Sequence, residues 1–195
     1  TQKKTDGEPL FRVVAEDLTS FGYFSRTTVA EYMRFGIRTA AARTPVGLRQ
    51  TVSMEKVDYN IHCHVRANGV CGIAVTDKEY PGKSIFAGIF ELSTQFEKES
   101  CKDEKKHSED DTFASPDWMK EMLKRFQDPK EADKALKIHQ KLKEIKMIMH
   151  KNVEELLKRG ETLDVLMEDA KDLSESSKRF GDGARRLNSW CCRTY

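Results

Sequence analysis

The chain has 195 residues, enough for one ordinary core plus an extended element, and although 34% of them are charged the net charge is only +2, which gives nucleic acid no basic field to bind. No run of about 18 or more apolar residues occurs, which argues against a transmembrane helix and leaves a lipid anchor or partners as routes to a membrane. Cys63, Cys71, Cys101, Cys191 and Cys192 form an odd set without repeated spacing, so a reducing, cytosolic compartment fits better than a secreted disulfide framework.

Thr1 to Leu10 lacks the apolar core of a secretory signal, and the missing initiator Met points to absent N-terminal sequence. The apolar run Leu10 to Ala15 predicts a strand, and Phe21, Tyr23 and Phe24 offer large side chains to a core. Thr28 and Glu31 match a capping box. The helix they open carries Val29, Tyr32, Met33, Ile37 and Ala40 on one face up to the break near Pro45 and Gly47.

Tyr59, Ile61, Cys63 and Val65 alternate with polar residues, and Asn68-Gly69 is a hairpin signal. A two-residue turn there sets Cys63 opposite Ala74 and puts Cys71 on the other sheet face, so no disulfide is expected between them. The return strand, Val70 to Val75, is apolar on both faces and reads as central, requiring a second helical layer that Ser84 to Phe96 supplies. Alternation also splits His62 and His64 from Cys63, so these residues read as exposed histidines beside a buried cysteine, with no metal site.

No nucleophile elbow, phosphate loop, dinucleotide fingerprint or zinc-protease motif occurs, so no catalytic residue, metal or cofactor is expected; a thiol enzyme using Cys63 with His62 or His64 is disfavoured by their opposite faces. Residues 98–111 are dominated by charge and read as a mobile loop. Trp118, Met119, Met122, Leu123 and Phe126 then make a short amphipathic helix ending before Asp128-Pro129. The first domain is thereby set at 1–127.

Asp128, Pro129 and Glu131 suit the start of the next helix. It carries the strongest pattern in the chain. Ala135, Leu142, Met149, Leu156, Leu163, Ala170, Ser177 and Ala184 recur every seven residues, and Ile138, Ile145, Asn152, Arg159, Leu166, Leu173, Phe180 and Leu187 follow each by three. This is a left-handed coiled-coil seam over 128–188, roughly 80 Å long if helical throughout. Ile148, Val153 and Met167 widen its stripe beyond what a two-stranded coil covers, so several partner helices are expected. Arg159 stands where leucine would be expected: either partners present oxygen acceptors to it, or its stem packs while its head reaches solvent. Gly160, Gly181 and Gly183 each cost about 1 kcal/mol of helix propensity, so folding coupled to partner binding is expected.

At these residues the chain resembles the R-SNARE family, with Arg159 in Leu156-Leu157-Lys158-Arg159-Gly160-Glu161 and the flanking layers in register. DPKEADKALKIHQ, IKMIMHK, LLKRGETLDVL and LNSWCC resemble its lipid-anchored YKT-type branch, and SFGYF, RTPVGLRQ and NGVCGIAVTDKEYP resemble that branch's longin domain. The resemblance implies an α+β longin fold, a five-stranded antiparallel sheet between helices whose first strand would precede Thr1, followed by a long SNARE helix. It implies three Q-SNARE helices as partners, their glutamines bonding Arg159. It implies autoinhibition, the SNARE segment folding back on a longin surface that includes Tyr32 and Phe35. It implies lipidation of Cys191 and Cys192 in the tail, 189–195, although Cys192-Arg193-Thr194-Tyr195 lacks the aliphatic interior of a prenylation box. Cytosol and the cytoplasmic face of Golgi, endosomal or vacuolar vesicles are the implied locations. The competing reading is a longin-domain trafficking adaptor that oligomerises through its coiled coil without fusing membranes.

Overall fold

The computed structural model describes residues 8–54, 58–100, 110–138, 148–170 and 173–180. The run Leu10 to Ala15 does not become a strand of the sheet. It lies along 111–114 through a parallel bridge, Val13 with Ala114, where the Val14 amide donates to the Ala114 carbonyl at 2.9 Å. Asp111 fastens it further, accepting from the Phe11 amide at 2.8 Å while pairing with Arg38 at 2.5 Å. A short apolar run specifies burial and leaves its ladder partner open, which is why its pattern alone reads as a strand.

A 3-10 turn, Tyr23–Ser25, leads into helix α1, Arg26–Arg43. The expected cap is displaced: Ser25 holds the N-cap position without a side-chain cap, its hydroxyl donating to the Gly22 carbonyl at 2.8 Å, and Thr28 is already inside the helix. Val29, Tyr32 and Ala40 bury α1 against Val52, Met54 and Ile61 of the sheet. Gly36 permits that approach, since a Cβ there would sit 3.0 Å from both Ile61 Cδ1 and Met54 Sδ.

Strands β1, Arg49–Met54, β2, Tyr59–Val65, and β3, Cys71–Asp77, pair antiparallel, and β4, Met149–Asn152, joins β1 in parallel, giving the order β3-β2-β1-β4. The sheet is therefore mixed rather than antiparallel throughout, because its fourth described strand comes from the C-terminal segment. Among the described strands β3 ends the order instead of lying centrally. Its apolar character comes from α1 and α2, which pack on its two faces.

The hairpin turn is longer than two residues: Arg66 N–H donates to Val70 O at 2.8 Å, Gly69 N–H to Arg66 O at 3.0 Å, and Gly69 has φ 81°. Cys63 consequently pairs with Ile73, and His62, not Cys63, stands opposite Ala74. A one-residue slip exchanges faces. Cys71 therefore shares the face of Cys63, with the two Sγ atoms 3.3 Å apart and the Thr44 hydroxyl donating to Cys63 Sγ at 3.3 Å. The histidines are buried as well, at 2% exposure for His62 and 8% for His64, because helices cover both sheet faces.

On the face opposite α1, helix α2, Gly82–Ser100, buries Ile85, Phe86 and Ile89. Helix α3, Asp117–Gln127, seats Phe126 on Gly88, where a Cβ would come within 2.9 Å of the ring. Asp128 makes the junction to α4, Pro129–Ile138: its amide donates to Arg125 O at 3.3 Å and its carboxylate accepts from Lys130 N–H at 2.9 Å. α4 lies on α2 through Ala87, Ala132 and Ala135, and Ser84 donates to Asp133 at 2.5 Å.

The C-terminal segment is not one long helix. After α4 come β4, a 3-10 turn at Val153–Leu156, helix α5, Leu163–Asp169, and a short helix over 175–180. A lone amphipathic helix would leave its seam in water. Broken into pieces, the same side chains reach the surface of α1 and β1.

Candidate functional site

The site is the surface on which that segment lies. β4 runs beside β1 with Gln50 against Met149, Thr51 against His150, Val52 against Lys151 and Ser53 against Asn152. The strand stops at Asn152, a polar residue of the seam, whose side chain accepts from Glu154 N–H at 3.4 Å while Glu155 reaches back to the Asn152 amide at 3.3 Å. This capping box starts the 3-10 turn. Thr162 plays the equivalent part for α5, its hydroxyl accepting from Val165 N–H at 3.3 Å.

Val153, Leu156, Leu163, Met167, Leu173 and Phe180 enter one buried cluster with Val29, Tyr32, Val52, Met54 and Ile61, and Phe35 packs half-buried against it. Leu156, Leu163, Leu173 and Phe180 are seam positions. Val153 and Met167 are the flanking positions that widened the stripe. The rings of Tyr32 and Phe180 meet edge-on.

Polar contacts fix the alignment of this apolar face. Glu31, read from the sequence as the partner of Thr28, instead accepts from Ser174 N–H at 3.0 Å, from Ser174 Oγ at 2.6 Å and from Ser177 Oγ at 2.7 Å. The Ser174 hydroxyl bond is the main cause that holds the Glu31 carboxyl below its ordinary value, outweighing desolvation. Ser177, also a seam position, is fully buried, and its hydroxyl, whose proton goes to Glu31, also lies 3.3 Å from the Thr28 carbonyl. At the other end of α1, Arg43 pairs with Glu161 at 2.9 Å, and the same carboxylate accepts from Lys158 N–H at 2.9 Å. The Lys158 amide, then Arg43, lowers the Glu161 carboxyl.

Ala135 is buried between α4 and α2, Met149 is half-buried on β4, and Leu166 and Ala170 are half-buried on and just after α5. Arg159 is exposed at the turn between Leu156 and Leu163. Ile138 closes α4 by its backbone, whereas Leu142, Ile145, Ala184, Leu187, Cys191 and Cys192 lie outside the described residues. Asn152 and Thr162 carried a legible signal as caps, each a capping side chain opening a helical turn. The heptad pattern masks it.

The His62-Cys63-His64 triplet has a structural role here. His62 bonds Thr51 Oγ1 and Thr76 Oγ1, both at 3.0 Å, and stands edge-on to Phe86; burial, then His150, pushes it down to about 4. His64 is likewise pushed down to about 4, by burial, then Arg49 and Arg66. Among the described residues no group of three or more His, Cys, Asp or Glu is placed to hold a metal ion, and no helix is long and apolar enough to cross a membrane.

Comparison with known proteins bears directly on this arrangement. A family model for the regulated-SNARE-like (longin) domain matches residues 18–133, and one for synaptobrevin matches residues 134–194. The chain is 39% identical over 184 residues to the VAMP-like protein YKT61 of Arabidopsis thaliana, covering 94% of this chain and 90% of the relative. It is 35% identical over 177 residues to the synaptobrevin homolog YKT6 of Saccharomyces cerevisiae, covering 90% and 88%. The Schizosaccharomyces pombe homolog ykt6 is 36% identical over 177 residues, covering 91% and 88%. A longin domain carrying a synaptobrevin segment, with YKT6 relatives along nearly its whole length, makes this chain a member of the longin-type YKT R-SNAREs of vesicle traffic.

Proposed function

We propose that residues 128–188 have two mutually exclusive destinations. In one they wind as a single helix with three Q-SNARE helices from an opposing membrane, Arg159 meeting glutamine oxygens in the central layer. Ala135, Ile138, Leu142, Ile145, Met149, Asn152, Leu156, Leu163, Leu166, Ala170, Leu173, Ser177, Phe180, Ala184 and Leu187 form the other layers. A guanidinium buried among apolar layers is tolerated only where acceptors meet its donors, so Arg159 sets the register of the bundle. In the other they lie on the longin surface around Tyr32 and Phe35, and the protein is autoinhibited.

The observation that carries this reading is the double use of Leu156, Leu163, Leu173 and Phe180: they are seam residues, and they are buried against α1 and the sheet. A side chain in that cluster cannot face a partner helix at the same time. Cys191 and Cys192 are the attachment points for lipid, two chains giving a stable grip where one gives a reversible one. The working place is then the cytoplasmic face of Golgi, endosomal or vacuolar vesicles, in exchange with a cytosolic pool.

The test is to mix the full chain, and its Tyr32→Glu variant, with candidate trios of Q-SNARE helices. A heat-resistant stoichiometric helical complex is expected from both, forming faster with the variant. No complex with any trio removes the bundle reading; equal rates remove autoinhibition. Intact mass of the C-terminal peptide from cells checks the anchor, and two unmodified thiols in membrane-bound protein would exclude it.

A further inference from the structure

We propose that Gly160 is the pivot on which the C-terminal segment changes between its folded-back and helical forms, an inference that rests on the autoinhibited R-SNARE reading above. Gly160 has φ 89°, in the left-handed region. The space around it is open, with nothing within 4 Å of an added Cβ, so the demand for glycine comes from the backbone alone. The turn is closed by Glu161 N–H donating to Lys158 O at 3.0 Å and tied to α1 through the Arg43 pair with Glu161 at 2.9 Å. On either side, Leu156 and Leu163 are buried in the same cluster. The left-handed residue therefore directs two seam leucines, one before it and one after, into the same surface.

In a right-handed helix the φ of Gly160 must swing by about 150°, to roughly −63°. The other bounds of the broken segment ask for less: Asn152, Leu157, Thr162 and Ala170 have φ of −80°, −73°, −121° and −71°, already negative, and reach the helix chiefly by a change in ψ. An L-residue with a Cβ disfavours the left-handed form by a factor of roughly ten, and glycine disfavours the helix by roughly fivefold against alanine. A single residue thus biases both forms in the same direction. Alanine would penalise the turn and reward the helix, so glycine immediately after Arg159 sets the balance between closure and assembly.

The experiment is amide hydrogen exchange on the full chain, read at β4, whose pairing with β1 exists only in the folded-back form. Gly160→Ala should speed exchange there by about tenfold while leaving β2 and β3 unchanged. D-alanine introduced at 160 by ligation favours positive φ and should slow the same amides about two- to fivefold. Opposite signs for the two enantiomers support the pivot. Equal effects, no effect, or acceleration spreading equally into β2 and β3 overturn it. Tyr32→Glu is the reference: if it frees β4 while the residue-160 variants do nothing, the pivot alone falls, and if it also leaves β4 protected, the autoinhibition reading falls first.

Discussion

The Phe180 ring stands edge-on to the Tyr32 ring, with centroids 5.5 Å apart and planes inclined at 64°. One ring belongs to the heptad seam and the other to α1, so this contact is one of those that join the two halves of the molecule. Fully burying an aromatic or large aliphatic side chain contributes about 1.5–3 kcal/mol, and several such side chains enter the cluster. The hydrogen bonds around them contribute less each and mainly select register.

Phe180→Ala should therefore release the last described helix, 175–180, without unfolding the domain. The expected loss is about 3–5 kcal/mol of docking energy, set by transfer of the ring and the gap left over Tyr32. Limited proteolysis between 173 and 180 measures it. Cleavage should accelerate there while α1 and the β2–β3 hairpin remain intact; unchanged cleavage would show that the ring contact does not hold the segment.

Glu31 makes the docking pH-dependent. Its carboxyl lies below the ordinary 4.5 because the ionised form accepts from Ser174 and Ser177. A depressed folded value contributes stability that is fully present above the unfolded value and is lost as pH falls through the folded value. The Ser174 and Ser177 resonances should accordingly shift as acid is added below about pH 4.5, with protection of 173–180 falling in step. Glu31→Gln should abolish that titration and loosen 173–180 at neutral pH. A titration that persists in the variant would assign it to another group.

Local signals carried much of this fold into the sequence. The α1 stripe, α2, the hairpin strands and the turn at Asp128 rest on short-range periodicity and capping, and each lies within a few residues of where those point, although the α1 cap falls at Ser25 and not Thr28. The hairpin register needed the turn length, and one extra residue moved Cys71 beside Cys63. The broken C-terminal segment needed more, because on the proposed reading its sequence serves two structures. Heptad spacing points to the proposed helical one, while Asn152 with Glu155, Gly160 and Thr162 mark the folded-back one. Glu31 shows the same competition: Thr28 offers it a capping box, but Ser174 and Ser177, remote in sequence, bind its carboxylate.

The buried histidines predict a second pH effect at a different place. Both His62 and His64 go from 6.5 down to about 4 on folding, through burial first. Between those values the unfolded chain binds the proton and the folded one does not, so stability falls as pH drops below 6.5 and the loss is complete near 4. Between pH 7 and pH 5 each histidine should cost on the order of 2 kcal/mol. Denaturant midpoints measured across this range should fall by the sum, and His62→Gln should remove about half of the slope. A flat profile in the parent protein would mean that the rings protonate in place.

Asn152 is the residue at which the folded-back form and the proposed bundle conflict most directly. Folded back, it ends β4 and caps the next turn, accepting from Glu154 N–H and receiving Glu155 at its own amide. In a continuous helix the same side chain is a polar group at an apolar layer, and asparagine is a weaker helix former than alanine by about 0.5 kcal/mol. Asn152→Ala should thus remove about 1 kcal/mol of capping from one form and add to the other, moving the balance toward assembly by roughly tenfold. Two measurements separate the contributions: amide exchange at β4 reports the lost cap, and the rate of helical complex formation with a Q-SNARE trio reports the sum. If exchange at β4 is unchanged while assembly accelerates, Asn152 acts only in the bundle, and its capping geometry has no hold on the folded-back form.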